Sequence, residues 1–285
     1  MSRWAPWLAL PLLLAVMVGA AAATPRATHL VRYAGVQVEV VAEGQGPLIV
    51  MLPSLGRDAD DYDSVAEAFV REGYRVLRPA PRGVRQSTGP MTGVSLHDFA
   101  EDVAQVITHE AAGPAIVIGH AYGNWVARTL ATDHPALVRG VVIAAAASRQ
   151  FDPRLGGYID KCQDTSLSDA ERLRYLRLTF FAAGSDPTGW LHGWYPEVKL
   201  AQRAARAATP TDSFWGAGQA PMLDLMAADD PFRLPATAQE NRDEFGERVS
   251  VVVIPNASHA LIPEQPAAVA AAVDRWLRSL PKAAS

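Results

Sequence analysis

Along the chain, short runs of β-branched and aliphatic residues alternate with longer stretches of helical spacing, the pattern of a parallel α/β sheet. Leu30–Tyr33 and Val36–Glu43 read as two strands joined at Ala34-Gly35. Leu48–Leu52 is continuously apolar, as a strand buried on both faces must be. Asp60–Arg71 has helical spacing, and Arg75–Pro79 is the next strand. Ser95-Leu96-His97-Asp98 resembles a capping box with Asp in place of Glu, opening a helix that runs to about Glu110. Ala115–Gly119 is a second buried strand, Tyr122–His134 a helix stopped by Pro135, and Val138–Ala147 a strand. Met222–Ala227 and Val249–Pro255 are the last strands, and Gln265–Ser279 is the closing helix.

Residues 149–218 break this rhythm. They hold no clear strand but several helical stretches, such as Asp169–Phe181 and Val198–Ala208. They also carry 10 of the 22 aromatic residues, among them Phe180, Trp190, Trp194 and Trp215. The segment reads as a helical cap inserted over the sheet. Some of its aromatics pack the cap down, and Phe180, Trp190, Trp194 and Trp215 are expected to line an apolar binding pocket beneath it. The core is then 24–148 with 219–285.

Charge changes the picture mainly by exclusion. Lys and Arg number 26 against 30 Asp and Glu, a net charge of −4, so no basic excess exists to neutralise nucleic-acid phosphates. The 49% apolar content fits a folded chain. The one cysteine, Cys162, excludes an internal disulfide and a CxxC-type zinc site. His97, His109 and His134 sit on or at the ends of helices, without metal-ligand spacing. No phosphate-binding glycine loop is present. No cofactor and no metal are expected.

The N-terminus carries its own signal. Arg3 precedes a 12-residue apolar run, Leu8–Gly19, and Ala21-Ala22-Ala23 fits a small-residue cleavage site. The rival is a membrane anchor, since Trp4–Ala23 lacks charge over 20 residues. Pro6 and Pro11 break that stretch, so residues 1–23 are read as a signal peptide that directs the protein to the periplasm or the medium and leaves no membrane anchor.

The chemistry concentrates at Gly119-His120-Ala121-Tyr122-Gly123, between a buried strand and a helix. Small residues at the first, third and fifth positions suit a very sharp turn, the setting of a nucleophile elbow. With VIGHAYGNWVAR at 117–128, PAPRGVRQSTGP at 79–90, DHPALVRGVVI at 133–143 and NASHALIPEQP at 256–266, the chain resembles the α/β-hydrolase fold family over most of residues 28–280. The resemblance implies an eight-stranded, mostly parallel sheet flanked by helices, a cap after the sixth strand, and Ser, acid and His in that chain order. The family's nucleophile position falls on Ala121, its acid on Asp230 (with Asp229 one position away) and its histidine on His259. Its oxyanion-hole donors fall on the backbone N–H groups of Tyr122 and Leu55. Ser54, beside Leu55, is expected against substrate; a loop-cap or turn role for it outweighs recruitment as a nucleophile.

Ala121 cannot attack a carbonyl. A different enzyme, a non-catalytic binder and an engineered Ser→Ala exchange are the three explanations, and the retained signal argues against the last. The enzyme reading is exported, acts on a small, largely apolar molecule, and uses a His259–Asp230 pair with a backbone oxyanion hole. It performs either ester-type hydrolysis or cofactor-free proton transfer. The alternative is a small-molecule-binding pseudo-hydrolase. The oligomeric state is not legible in the residues.

Overall fold

A computed structural model describes residues 25–149 and 151–281; the expected signal peptide lies outside the described residues. The sheet strands are β1 (Ala27–Tyr33), β2 (Val36–Gly44), β3 (Leu48–Leu52), β4 (Arg75–Pro79), β5 (Ala115–His120), β6 (Val138–Ala144), β7 (Met222–Ala227) and β8 (Val249–Ile254). They form one eight-stranded sheet in the order β1-β2-β4-β3-β5-β6-β7-β8. β1 and β2 run antiparallel to their neighbours, and the other pairings are parallel. The β1–β2 turn places Ala34 at φ +41° and Gly35 at φ +81°, the double left-handed conformation that matches hairpin twist.

The helices are α1 (Asp63–Arg71), α2 (Leu96–Glu110), α3 (Gly123–Asp133), α4 (Arg154–Gln163), α5 (Asp169–Thr179), α6 (Pro196–Ala208), α7 (Glu240–Phe245), α8 (Leu261–Glu264) and α9 (Pro266–Ser279). Side chains on a strand alternate between faces. Val50, Val117 and Val141 therefore pack on one face with Val103, Ile107, Ala127 and Leu130 of α2 and α3. Ile49, Ile118 and Val142 pack on the other with Val65, Phe69, Val273 and Trp276 of α1 and α9. Every residue of β3 and β5 is buried, which is why those segments read as unbroken apolar runs.

Three boundaries differ from the sequence pattern by three residues. β1 starts at Ala27, three residues early, because backbone pairing with β2 extends to Ala42 regardless of side-chain alternation. The stretch from Asp60 begins as a tight 3₁₀ turn, Ala59–Tyr62, in which the Asp58 carboxylate accepts the Ala59 N–H at 2.6 Å; the α-helix proper starts at Asp63. β6 stops at Ala144 rather than Ala147, since Ala145 adopts φ +48° and turns the chain off the sheet. The box at Ser95 forms as spaced, with the Asp98 carboxylate accepting the Ser95 N–H at 2.8 Å.

Between β6 and β7, residues 145–221 carry α4, α5 and α6 and no strand among the described residues. Arg57, in the loop after β3, ties this segment down. It pairs bidentately with Asp61, donates to the His192 carbonyl at 2.6 Å, and lies under the Trp190 and Trp194 rings at 4.3 and 4.7 Å. The chain leaves the sheet in opposite directions from β3 and β5, and these strands are neighbours. The crevice beyond their carboxyl ends is where open α/β sheets hold ligands.

Candidate active site

The elbow is built from exclusion. A Cβ on Gly119 would fall on the Gly123 carbonyl oxygen and within 2.5 Å of the Asn124 backbone. A Cβ on Gly123 would lie 2.5 Å from the Leu52 carbonyl oxygen and 2.8 Å from that of Pro53. Glycine at both places lets the chain fold back from β5 into α3. Between them Ala121 is held at φ +47°, a conformation that costs a non-glycine residue roughly 1–2 kcal/mol. Its N–H donates to Ala144 at 2.9 Å, and its carbonyl accepts from the Asn124 side chain.

His259 follows β8. Its Nδ1 lies 2.9 Å from Asp230 Oδ2, and Asp230 Oδ1 accepts the Phe232 N–H at 2.8 Å. Both side chains are buried, His259 at 5% and Asp230 at 3% exposure. Asp229 does not meet the imidazole; its N–H donates to the Ala257 carbonyl. With Nδ1–H given to the carboxylate, the Nε2 lone pair of His259 is the basic site. Phe232 and Phe180 flank the ring, with centroids at 4.3 and 5.6 Å.

His120 supplies a connection that the sequence did not suggest. The Ser54 N–H donates to the Tyr62 hydroxyl at 3.1 Å, and that hydroxyl lies 2.9 Å from His120 Nδ1. His120 Nε2 lies 2.6 Å from the His259 carbonyl oxygen, so Nε2 carries the proton and Nδ1 accepts from Tyr62. One chain of hydrogen bonds thus joins the β3 loop, the elbow and the His259 loop. Complete burial, and then the neighbouring His259, push the His120 imidazole down to about 3, so it stays neutral.

Ala121, Tyr122, Ser54, Leu55, Phe180 and His259 all line one cavity of about 490 Å³, together with Trp125, Phe151, Ile159, Phe232, Asn124, Asp160, Arg203 and Arg206. Among the described residues neither the Leu55 nor the Tyr122 N–H donates to a protein group. The structure therefore brings together Ala121, Asp230, His259, Leu55, Tyr122, Ser54 and Phe180.

It does not bring Trp190, Trp194 or Trp215 there. Trp190 meets Trp194 edge-on, both rings pack at a tilt against Phe180 and both lie against the Arg57 guanidinium, backing the cavity wall without reaching it. Trp215 lies between the Arg128 and Arg149 guanidinium groups at 4.3 and 4.6 Å, with its Nε1–H on Glu244, and faces an adjoining groove. In each case a buried or tethered arginine claims the ring face, and aromatic density alone does not carry that direction. Trp125, Phe151 and Phe232 take the lining role instead. Of these, Trp125 had a usable signal, since it lies on α3 three residues past Tyr122.

Cys162 is fully buried, and desolvation pushes its thiol up to about 11, as expected of an unreactive structural cysteine. Arg82 is a structural anchor, bidentate to the buried Asp102 at 2.8 Å. Among the described residues no three His, Cys, Asp or Glu side chains converge to hold a metal ion, and no helix is long and apolar enough to cross a membrane.

A cavity over a strained turn at the switch point of a mostly parallel sheet, with a His–Asp pair at its wall, is the arrangement of the hydrolase-type α/β class. The Alpha/beta hydrolase family model matches residues 49–272, and the chain belongs to that family. Among curated relatives, the candidate carbamate hydrolase RutD of Variovorax paradoxus is 27% identical over 236 residues, covering 78% of this chain and 88% of that protein. Among solved structures, a bromoperoxidase of Bacillus anthracis superposes with a TM-score of 0.74 at 16% identity, over 90% of this chain and 100% of the other. A malate-bound thermophilic esterase of Thermogutta terrifontis gives 0.70 at 21% identity, over 90% and 99%. These two structural likenesses are of fold. The hydrolase relatives imply small-molecule substrates.

Proposed function

We propose that this protein is an exported enzyme that hydrolyses a small, largely apolar ester-type molecule with a His259–Asp230 pair and no serine nucleophile. The observation that carries the reading is the 2.9 Å contact between His259 Nδ1 and Asp230 Oδ2 at the wall of a cavity that Ala121 also lines. Asp230 fixes the tautomer and steadies the imidazolium as it forms. His259 Nε2 takes a proton from water as the water oxygen bonds to the substrate carbonyl carbon. The carbonyl oxygen gains the negative charge and is received by the Leu55 and Tyr122 N–H groups. The tetrahedral intermediate then expels the alcohol oxygen, which recovers the proton from His259. Cofactor-free proton abstraction from carbon would use the same parts. The export element rests on Arg3, Leu8–Gly19 and Ala21–Ala23, and cleavage before Thr24 is its signature in N-terminal sequencing.

A machinery without its nucleophile retains roughly 10³–10⁴-fold catalysis over water in serine hydrolases. Turnover of a panel of short-chain aryl esters by the mature protein should therefore be slow but measurable, and His259→Ala should lower it by about 10²-fold, the share a general base acting on water contributes. Ala121 favours a second reading, a non-catalytic binder that keeps the cavity. Equal ester turnover by the wild type and His259→Ala would refute His259 as the base, and no turnover above the uncatalysed rate would refute the enzyme and leave the binder.

A further inference from the structure

The cavity wall formed by α6 carries charge that the proposed chemistry does not use. Arg203 and Arg206 lie three positions apart on one helix face and both line the cavity. Arg203 is neutralised by Asp160 at 3.0 Å, and Lys199 reaches the same carboxylate at 2.8 Å. Arg206 pairs with no carboxylate among the described residues. Two of its five donors close the end of α6, on the Thr209 carbonyl at 3.1 Å and Thr211 Oγ1 at 2.8 Å. Its Nε–H is buried and has no acceptor. The Trp125 and Phe214 rings, each 5.0 Å from the guanidinium carbon, hold the group in place.

Tyr122, at the start of α3 and lining both this cavity and a smaller hollow beside α2, carries the second unanswered donor. It is 5% exposed, its ring meets Trp125 edge-on at 5.6 Å, and its hydroxyl is buried without a partner. The Arg206 charge acts on it directly, partly offsetting the effect of burial on the hydroxyl. Buried polar groups without partners are rare in folded proteins, and two such donors on residues that line one cavity call for an acceptor from outside the chain. The side chains lining the cavity, with neutral histidine, carry a single net positive charge. A planar monoanion suits both the charge and the fork geometry of the guanidinium.

We propose that Arg206 and the Tyr122 hydroxyl form a carboxylate subsite, and that the ligand of this cavity has an apolar body and one carboxylate group. The inference rests on the proposed reading of the cavity as the ligand site. The apolar body lies against Phe151, Phe180 and Phe232, and the carboxylate against the α6 wall.

Calorimetric titration of the mature protein with 4-phenylbutanoate and with its neutral isostere 4-phenylbutanamide tests this. The acid should bind the wild type about tenfold more tightly than the amide or better. Arg206→Gln should bring the ratio close to unity, Arg206→Lys should keep part of it, and Tyr122→Phe should reduce it severalfold. Tyr122→Phe removes one oxygen, so it carries the test if Arg206→Gln proves unstable in a thermal melt. Equal affinities for acid and amide, a preference that survives Arg206→Gln or Tyr122→Phe unchanged, or no binding of the acid at about 10 mM would each overturn the subsite. His259→Ala should retain the preference. Ester turnover without acid preference therefore defeats this inference alone, and acid preference without turnover defeats only the catalytic reading.

Discussion

Lowering the pH from 7 to about 4.5 perturbs His120 in a way that can be isolated. In the folded protein this imidazole is fully buried, with both nitrogens engaged, and protonates only near about 3, whereas in the unfolded chain it titrates near 6.5. Between those values the unfolded state binds the extra proton, so stability falls as the pH falls. At 1.36 kcal/mol per pH unit, the two units from 6.5 down to about 4.5 cost roughly 3 kcal/mol. His120→Gln offers an acceptor to Tyr62 and a donor to the His259 carbonyl but does not titrate in this range. Urea unfolding followed by tryptophan fluorescence, for both proteins at both pH values, gives the comparison. Carboxylates such as Asp63, whose arginine partners Arg78 and Arg26 hold it low, contribute equally to both and cancel. At neutral pH the variant should be less stable by about 1–2 kcal/mol from imperfect hydrogen bonds. On acidification that gap should close or reverse, by about 3 kcal/mol in the variant's favour. A gap that stays constant between the two pH values would refute the assignment of His120 as a neutral link.

Two further outcomes follow from the elbow. Ala121→Ser should gain aryl-ester turnover by about 10³-fold or more and become labelled by a serine-directed phosphonate, because a restored hydroxyl lies beside an oriented base; labelling of the wild type at Ser54 would contradict this. Gly119→Ala should lose about 3 kcal/mol of stability or more in thermal melts, since its methyl group meets the Asn124 backbone at 2.5 Å; a melt like that of the wild type would show that the turn can relax.

The sheet was legible wherever burial was two-sided. Leu48–Leu52 and Ala115–Gly119 read as strands because every position faces a packed layer. The Asp230–His259 geometry was legible because both residues follow strand ends at the same edge of the sheet, so topology alone brings them together. The tryptophans were not. Composition places aromatics in the segment above the sheet but says nothing of whether a ring faces the cavity or an arginine, and Arg57, Arg128 and Arg149 decided that for Trp190, Trp194 and Trp215. Arg203 and Arg206 were equally hidden, since arginines on an amphipathic helix usually face solvent. The Tyr62–His120 link joins residues 58 positions apart, and no local pattern encodes it.

The segment between β6 and β7 leaves and rejoins the sheet on two strands that pair with each other, from Val141–Met222 to Ala144–Leu225. Because these strands are parallel, its two feet stand at opposite ends of the pair, the exit at Ala144 and the re-entry at Met222 opposite Val141, held roughly 11 Å apart by strand pairing whatever lies between them. Lengthening or replacing such an excursion alters loop-closure entropy only slowly with length. The segment is in this sense an exchangeable cassette. His259, Asp230 and the Leu55 and Tyr122 N–H groups follow strands of the sheet, while α6, with Arg203 and Arg206, belongs to the insert. On the proposed reading the insert supplies much of the ligand wall, while Tyr122 and Phe232 add to it from the sheet side, so a transplanted insert should re-address part of the cavity while His259 and Asp230 keep their places.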